Sequence, residues 1–170
     1  MNDPHYILLP ANPLFIGLTL VLAFLLNLMP WGQMVGVPDF VALVLVFWNI
    51  HQPRKVGISI AFMMGLLMDV NEATLLGENA LAYTLLSYFA IMIHRRVAWF
   101  PLRTQAIHVL PLLLLAQAVQ LVVQLLVTGK FPHWFYFSES FISALLWPVV
   151  SWLLLAPQRR AINRDENRPI

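Results

Sequence analysis

Six apolar runs, each parted from the next by a short polar connection, dictate what this chain can fold into. They extend over about 14–29, 33–50, 56–70, 79–93, 105–127 and 141–156. Backbone amides have no partner in hydrocarbon except one another, so runs of this kind cross lipid as helices. Only 11% of the 170 residues are charged and 60% are hydrophobic, whereas a soluble domain carries about 25% charged residues. Too few polar side chains remain to cover a surface in water. The expected class is an all-α integral membrane protein with six transmembrane helices in a compact bundle. Residues 1–157 would form the transmembrane domain and 158–170 a polar cytoplasmic tail. The first run lacks a basic leader and a small-residue cleavage site and is expected to be retained as a span. The third is short, about 22 Å as a helix against a hydrocarbon core of about 30 Å.

The basic residues orient the spans. With six crossings and a cytoplasmic amino terminus, one side holds Arg54, Lys55, Arg95, Arg96, Arg103, Arg159, Arg160, Arg164 and Arg168, and the other only Lys130. Cytoplasmic loops carry the excess of Lys and Arg, so both termini are expected inside. Trp31, Trp48, Trp99, Trp134 and Tyr136 lie near run ends, as an interfacial aromatic belt would require.

Several function classes find no support. There is no cysteine, hence no disulfide, thiolate metal site or cysteine nucleophile. The net charge of +2 comes from only ten Lys and Arg, placed beside apolar runs, which argues for bilayer orientation and against nucleic acid. The five histidines show no metal-ligand spacing, and no glycine-rich phosphate loop or Ser–His–Asp arrangement occurs. No cofactor and no enzymatic activity are expected.

What remains is packing chemistry. Gly57, Ala61, Gly65 and Asp69 recur every four residues and share one helix stripe. The small residues make a groove for close approach of another helix, within the bundle or on a partner. Asp69, Glu72 and Glu78 cluster in the connection after the third run. They could serve a metal or acid–base site, a structural or partner contact on the outer face, or plain solvation. This hairpin, Gly57 to Leu86, reads as the centre of the bundle. Asp39 reads as a helix-terminus charge, with Pro38 suited to a first turn. In the fifth run Gln117, Gln120 and Gln124 form a polar intramembrane stripe that needs partners, as helix glue or as the wall of a ligand pocket. Ser140, Ala144, Trp147 and Ser151 line another packing face, bent by Pro148.

In order along the chain stand Met29-Pro30-Trp31, Pro38-Asp39 with Phe47-Trp48, Gly65 to Asp69 followed by Gly77, and Leu146-Trp147-Pro148. This ordered set resembles the bacterial rod shape-determining MreD family over nearly the whole chain. Val37 departs from it, standing where many relatives place a basic residue before the proline. The resemblance implies a non-enzymatic inner-membrane component of the cell-elongation machinery. Its implied partners are MreC first, then the filament protein MreB, the glycosyltransferase RodA and a class B penicillin-binding transpeptidase. Within it Gly57, Ala61 and Gly65 would offer a groove to a helix, Asp69, Glu72 and Glu78 would meet outer partner segments, and the basic loops would meet anionic lipid or filaments. The family is also similar in fold to the substrate-binding subunits of energy-coupling-factor vitamin transporters, which implies an alternative function, binding a vitamin-like small molecule.

Overall fold

The structure is a computed structural model that describes residues 6–8, 12–30, 36–73, 75–129, 131 and 134–161. Lys130, Trp31, Arg164 and Arg168 lie outside the described residues. Among the described residues six α-helices run back and forth: α1 (Pro13–Leu28), α2 (Phe40–His51), α3 (Gly57–Glu72), α4 (Glu78–Val97), α5 (Leu102–Thr128) and α6 (Ser138–Leu155). A short antiparallel pair, β1 (Tyr6–Leu8) with β2 (Arg159–Ala161), joins the two ends of the chain. The segment after Ala156 is therefore not all loose tail: it continues through a 3-10 turn into this pairing.

Local chemistry sets the helix ends. Asn12 caps α1, its side chain accepting from the Leu14 amide with Pro13 in the first turn. Asp39 caps α2 by accepting from the Ala42 amide. Helix α2 thus starts at Phe40, well after the expected boundary, and Pro38 precedes the cap instead of opening the first turn. Gly129, at φ 65°, closes α5 in the left-handed conformation that glycine adopts without strain.

The centre is α2, not the α3–α4 hairpin. All ten residues from Val41 to Ile50 are buried, Trp48 among them, and its indole donates to Thr19 Oγ1 on α1 at 2.9 Å. Trp48 is a core residue, then, and not part of an aromatic belt; Trp99, 90% exposed, is free for that role. Helix α2 packs on α1, α4 and α6, while α3 to α6 pack in sequence around it.

Outside the bundle the polarity reverses. Leu14, Leu126 and Leu145 are 79, 82 and 79% exposed, and Met63, Met92, Val149 and Trp152 also face outward. Buried positions include Asn49, Asp69, Ser87, Gln117 and Ser151. Apolar side chains outside and hydrogen-bonding ones inside is the distribution a lipid solvent selects. Helix α5 and the segment Phe135–Gln158 are long and apolar enough to cross a membrane by length and composition.

Candidate functional site

The α3–α4 turn shows what the glycine and aspartate spacing does. At Gly65 a Cβ would collide with the Cα of Ala80 and stand 2.6 Å from its nitrogen. Only a glycine lets the start of α4 lie directly on α3. One turn later Asp69 reaches across the contact. Its carboxylate accepts from the amides of Asn79 at 2.7 Å, Gly77 at 2.8 Å and Ala80 at 3.4 Å. Helix α4 has no side-chain cap of its own, since Gly77 stands at its N-cap with φ 106°. A neighbouring helix supplies the anion that satisfies its orphan amides.

Two expectations that stood with alternatives narrow accordingly. Asp69 is 1% exposed and occupied, so it is an internal cap rather than an outer partner contact. The close-approach groove is used inside the bundle at Ala61, fully buried, and at Gly65. Gly57 takes no part in it: nothing lies within 4 Å of where its Cβ would be, and its φ of 59° serves the turn into α3. Glu72 is exposed and Glu78 is half-buried.

The same end of the bundle holds a polar cleft of about 330 Å³. Asn27, Val37, Asp39, Glu72, Glu78, Asn79, Tyr83, Gln120, Gln124, Tyr136 and Glu139 line it, drawn from all six helices and their flanks. Its position follows from the brevity of α2, which spans about 18 Å at 1.5 Å per residue. Tyr83 lies about 7.5 Å along α4, and Gln120 about 12 Å short of the end of α5, by the same rise. The start of α2 is level with these residues, so the cleft occupies the length that α2 leaves open.

Hydrogen bonds lace the walls. Asp39 Oδ1 accepts from Asn27 Nδ2 at 2.9 Å and Oδ2 accepts from Tyr83 Oη at 2.5 Å, while Asn27 Oδ1 accepts from the Phe40 amide at 3.0 Å. A second chain runs across three helices. Asn79 Nδ2 donates to Glu72 Oε2 at 3.0 Å, Gln120 Nε2 to Asn79 Oδ1 at 2.6 Å, and Tyr136 Oη to Gln120 Oε1 at 3.3 Å. Deeper, Gln117 Nε2 donates to Glu139 Oε2 at 3.1 Å and Gln117 Oε1 accepts from Ser140 Oγ at 2.6 Å. Gln117 and Gln120 thus join α5 to α4 and α6, and Gln124 faces the cleft. Loss of hydration raises the Glu72 carboxyl above its ordinary value; Asn79 opposes this and Asp39, Glu78 and Asp69 add to it. Glu78 is raised as well, first by burial and then by Asp69.

Asn27, Asp39, Asn79, Tyr83 and Glu139 are cleft residues that sequence reasoning missed. Asp39 was readable only as a cap, and Glu139, at the head of α6, carried no signal beyond its place beside a run of small residues. The basic residues gather elsewhere. Arg54 and Lys55 lie exposed in the α2–α3 turn, Arg95 and Arg96 in the last turn of α4, and Arg103 at the head of α5. Arg159 and Arg160 belong to β2, at the end where α6 finishes.

The family model for rod shape-determining protein MreD matches residues 11–156. The chain belongs to the MreD family. It is 30% identical over 148 residues to the rod shape-determining protein MreD of Haemophilus influenzae, 84% of this chain and 88% of that protein. No solved structure matches. Membership gives this chain a shape-determining role, and the helical, outwardly apolar bundle is that of a membrane protein.

Proposed function

We propose that this MreD-family chain is a multi-pass protein of the bacterial inner membrane with both termini cytoplasmic, and a non-enzymatic scaffold and regulator of lateral peptidoglycan synthesis. Residues 1–157 are the membrane domain in this reading and 158–170 the cytoplasmic tail. MreC is its first partner; MreB, RodA and a class B penicillin-binding transpeptidase belong to the wider complex. The observation that carries the reading is the use made of polar groups. Asp69, Asn79, Gln117 and Gln120 are engaged in tying helix to helix, which suits a rigid docking body. Arg54, Lys55, Arg95, Arg96 and Arg103 cluster at the opposite end, in keeping with a cytoplasmic face that meets anionic headgroups at about 1 kcal/mol per base.

Because Gly65 is consumed inside the bundle, the docking face in this reading lies on the outward apolar sides of the helices. Depletion of the protein should convert rods to spheres, and the wild-type gene should restore them. Co-purification with MreC from mild detergent tests the partnership: a chain that restores shape without ever retaining MreC would remove that partner from the account.

The second reading, a small-molecule binding subunit like those of energy-coupling-factor transporters, draws its support from the cleft lined by Gln120 and Gln124. A vitamin-like ligand retained through purification, with cell shape unaffected by depletion, would favour it.

A further inference from the structure

Two hydrogen-bond networks approach each other at the head of α6 without a bond between them. One ties Asp39 to Asn27 and Tyr83. The other ties Gln117 to Glu139, Ser140 and the Tyr136 carbonyl, and the Tyr136 hydroxyl to Gln120. A chamber of about 10 Å³, smaller than the cleft, is walled by Asp39 from the first network and by Gln117 and Glu139 from the second. Ser143 lines it as well. That serine is 1% exposed, and its Oγ has no hydrogen-bond partner. Helical hydroxyls commonly turn back onto the carbonyl one turn earlier, as Thr84 and Thr128 do at 2.6 and 2.7 Å. Ser143 makes no such bond, and its hydroxyl is left to the chamber.

We propose that this chamber is the binding site of one structural water molecule, which bridges the two networks. A single water needs about 10–15 Å³, so the volume admits one and excludes a second. A buried water also needs about two to four polar partners, and the walls have that capacity to spare. Asp39 accepts from Asn27, Ala42 and Tyr83, which leaves one of the roughly four acceptor sites of a carboxylate. Glu139 engages only its Oε2. Gln117 gives both amide protons, to Glu139 and the Tyr136 carbonyl, and its Oε1 takes one bond from Ser140, so it has nothing to donate but a lone pair left. Ser143 has a proton to place and lone pairs unused. A water takes the Ser143 proton and gives its own to the acceptors opposite, whether or not Glu139 carries a proton. A sodium or ammonium ion has no lone pair to offer and would leave the Ser143 proton without an acceptor. Through the water the cap of α2 is tied to α5 and α6, which it otherwise meets without a hydrogen bond. The site does not depend on the role in wall synthesis.

The test is nuclear magnetic resonance of the full chain in detergent micelles, with the alanine methyl groups isotope-labelled. Ala42 and Ala116 line the chamber and are only 2 and 4% exposed. Ala82 and Ala90, fully buried away from it, serve as controls. Nuclear Overhauser cross-peaks to water should appear at the methyls of Ala42 and Ala116 and not at the controls. Ser143→Ala removes the hydroxyl with its exchangeable proton, while the water keeps its other partners, so the cross-peaks should persist. Ser143→Val fills the space with methyl groups and should extinguish them. Replacing sodium by choline in the buffer should leave the methyl shifts of Ala42 and Ala116 where they were. The proposal is overturned if the wild type gives no cross-peaks at these two methyls, or if Ser143→Ala loses them, the signal then belonging to the hydroxyl. It is equally overturned if Ser143→Val keeps them in an otherwise native spectrum, or if removal of sodium shifts both methyls, which would make the occupant an ion. Should Ser143→Val fail to fold, the wild type and Ser143→Ala decide the matter.

Discussion

Asp69→Ala removes the anion that α3 lends to α4. Two short charge-assisted bonds, at 2.7 and 2.8 Å, and one longer one at 3.4 Å disappear together. Hydrogen bonds to charged groups contribute about 1.5–3 kcal/mol each, so the two short ones set a loss of roughly 3–6 kcal/mol. The Gly77 amide is half-buried beside the cleft and regains water, which lowers the estimate to about 3–4 kcal/mol. For a chain of this length that is roughly 6–16 °C in thermal midpoint. Asp69→Asn keeps an acceptor and loses the charge, and should fall about half-way between. Thermal unfolding in detergent measures the loss, and hydrogen exchange localises it: amides of Gly77, Asn79 and Ala80 should lose protection before those of α2. If Asp69→Ala melts within a degree or two of wild type with those amides still protected, the capping argument is wrong.

Gly65→Ala should be nearly as damaging, about 3 kcal/mol at the upper end of overpacking penalties, because the new methyl meets backbone and not a flexible side chain. A cross-link between α3 and α4, formed readily in the wild type through introduced cysteines, should slow in that variant. Gln117→Leu strips Glu139 and Ser140 of a shared partner and should cost about 2–3 kcal/mol for the acceptor and donor left unmatched; Gln117→Glu, which adds a charge beside Glu139, should be worse. The raised carboxyls of Glu72 and Glu78 give a pH dependence of known sign. A carboxyl raised on folding stabilises the fold while protonated, and that contribution is lost as pH climbs through its folded value. The midpoint should therefore drop as pH rises through the range above ordinary glutamate titration, and Glu78→Gln should flatten the slope and raise the midpoint at neutral pH.

Much of this was legible in the residues. Connections that alternate in charge predict helices that alternate in direction, and the Asp39, Glu72, Glu78 and Glu139 ends do meet at one cleft while the basic turns lie away from it. The glutamine stripe of the fifth run was recognisable because amides every third or fourth residue in an apolar helix need partners. The role of Gly65 with Asp69 was half-legible: spacing reveals a shared face, but not which helix lies against it. That choice came from the turn, where Gly77 leaves α4 uncapped. The central place of α2 had no decisive signal. Phe40 to Ile50 is apolar but for Asn49, yet α1 is as apolar and turns Leu14 and Leu18 outward, so in a lipid-facing bundle composition alone does not pick the enclosed helix. The bonds of Asp39 to Asn27 and Tyr83 had none, because they join residues 12 and 44 positions apart.

The loan of a carboxylate from α3 to α4 has a bearing on biogenesis. Leaving the translocon alone, α3 would bring a bare anion to the lipid boundary, and α4 would bring unmatched amides. Delivered as a hairpin, the two cancel before either meets hydrocarbon. Synthesis thus favours release of these helices as a pair.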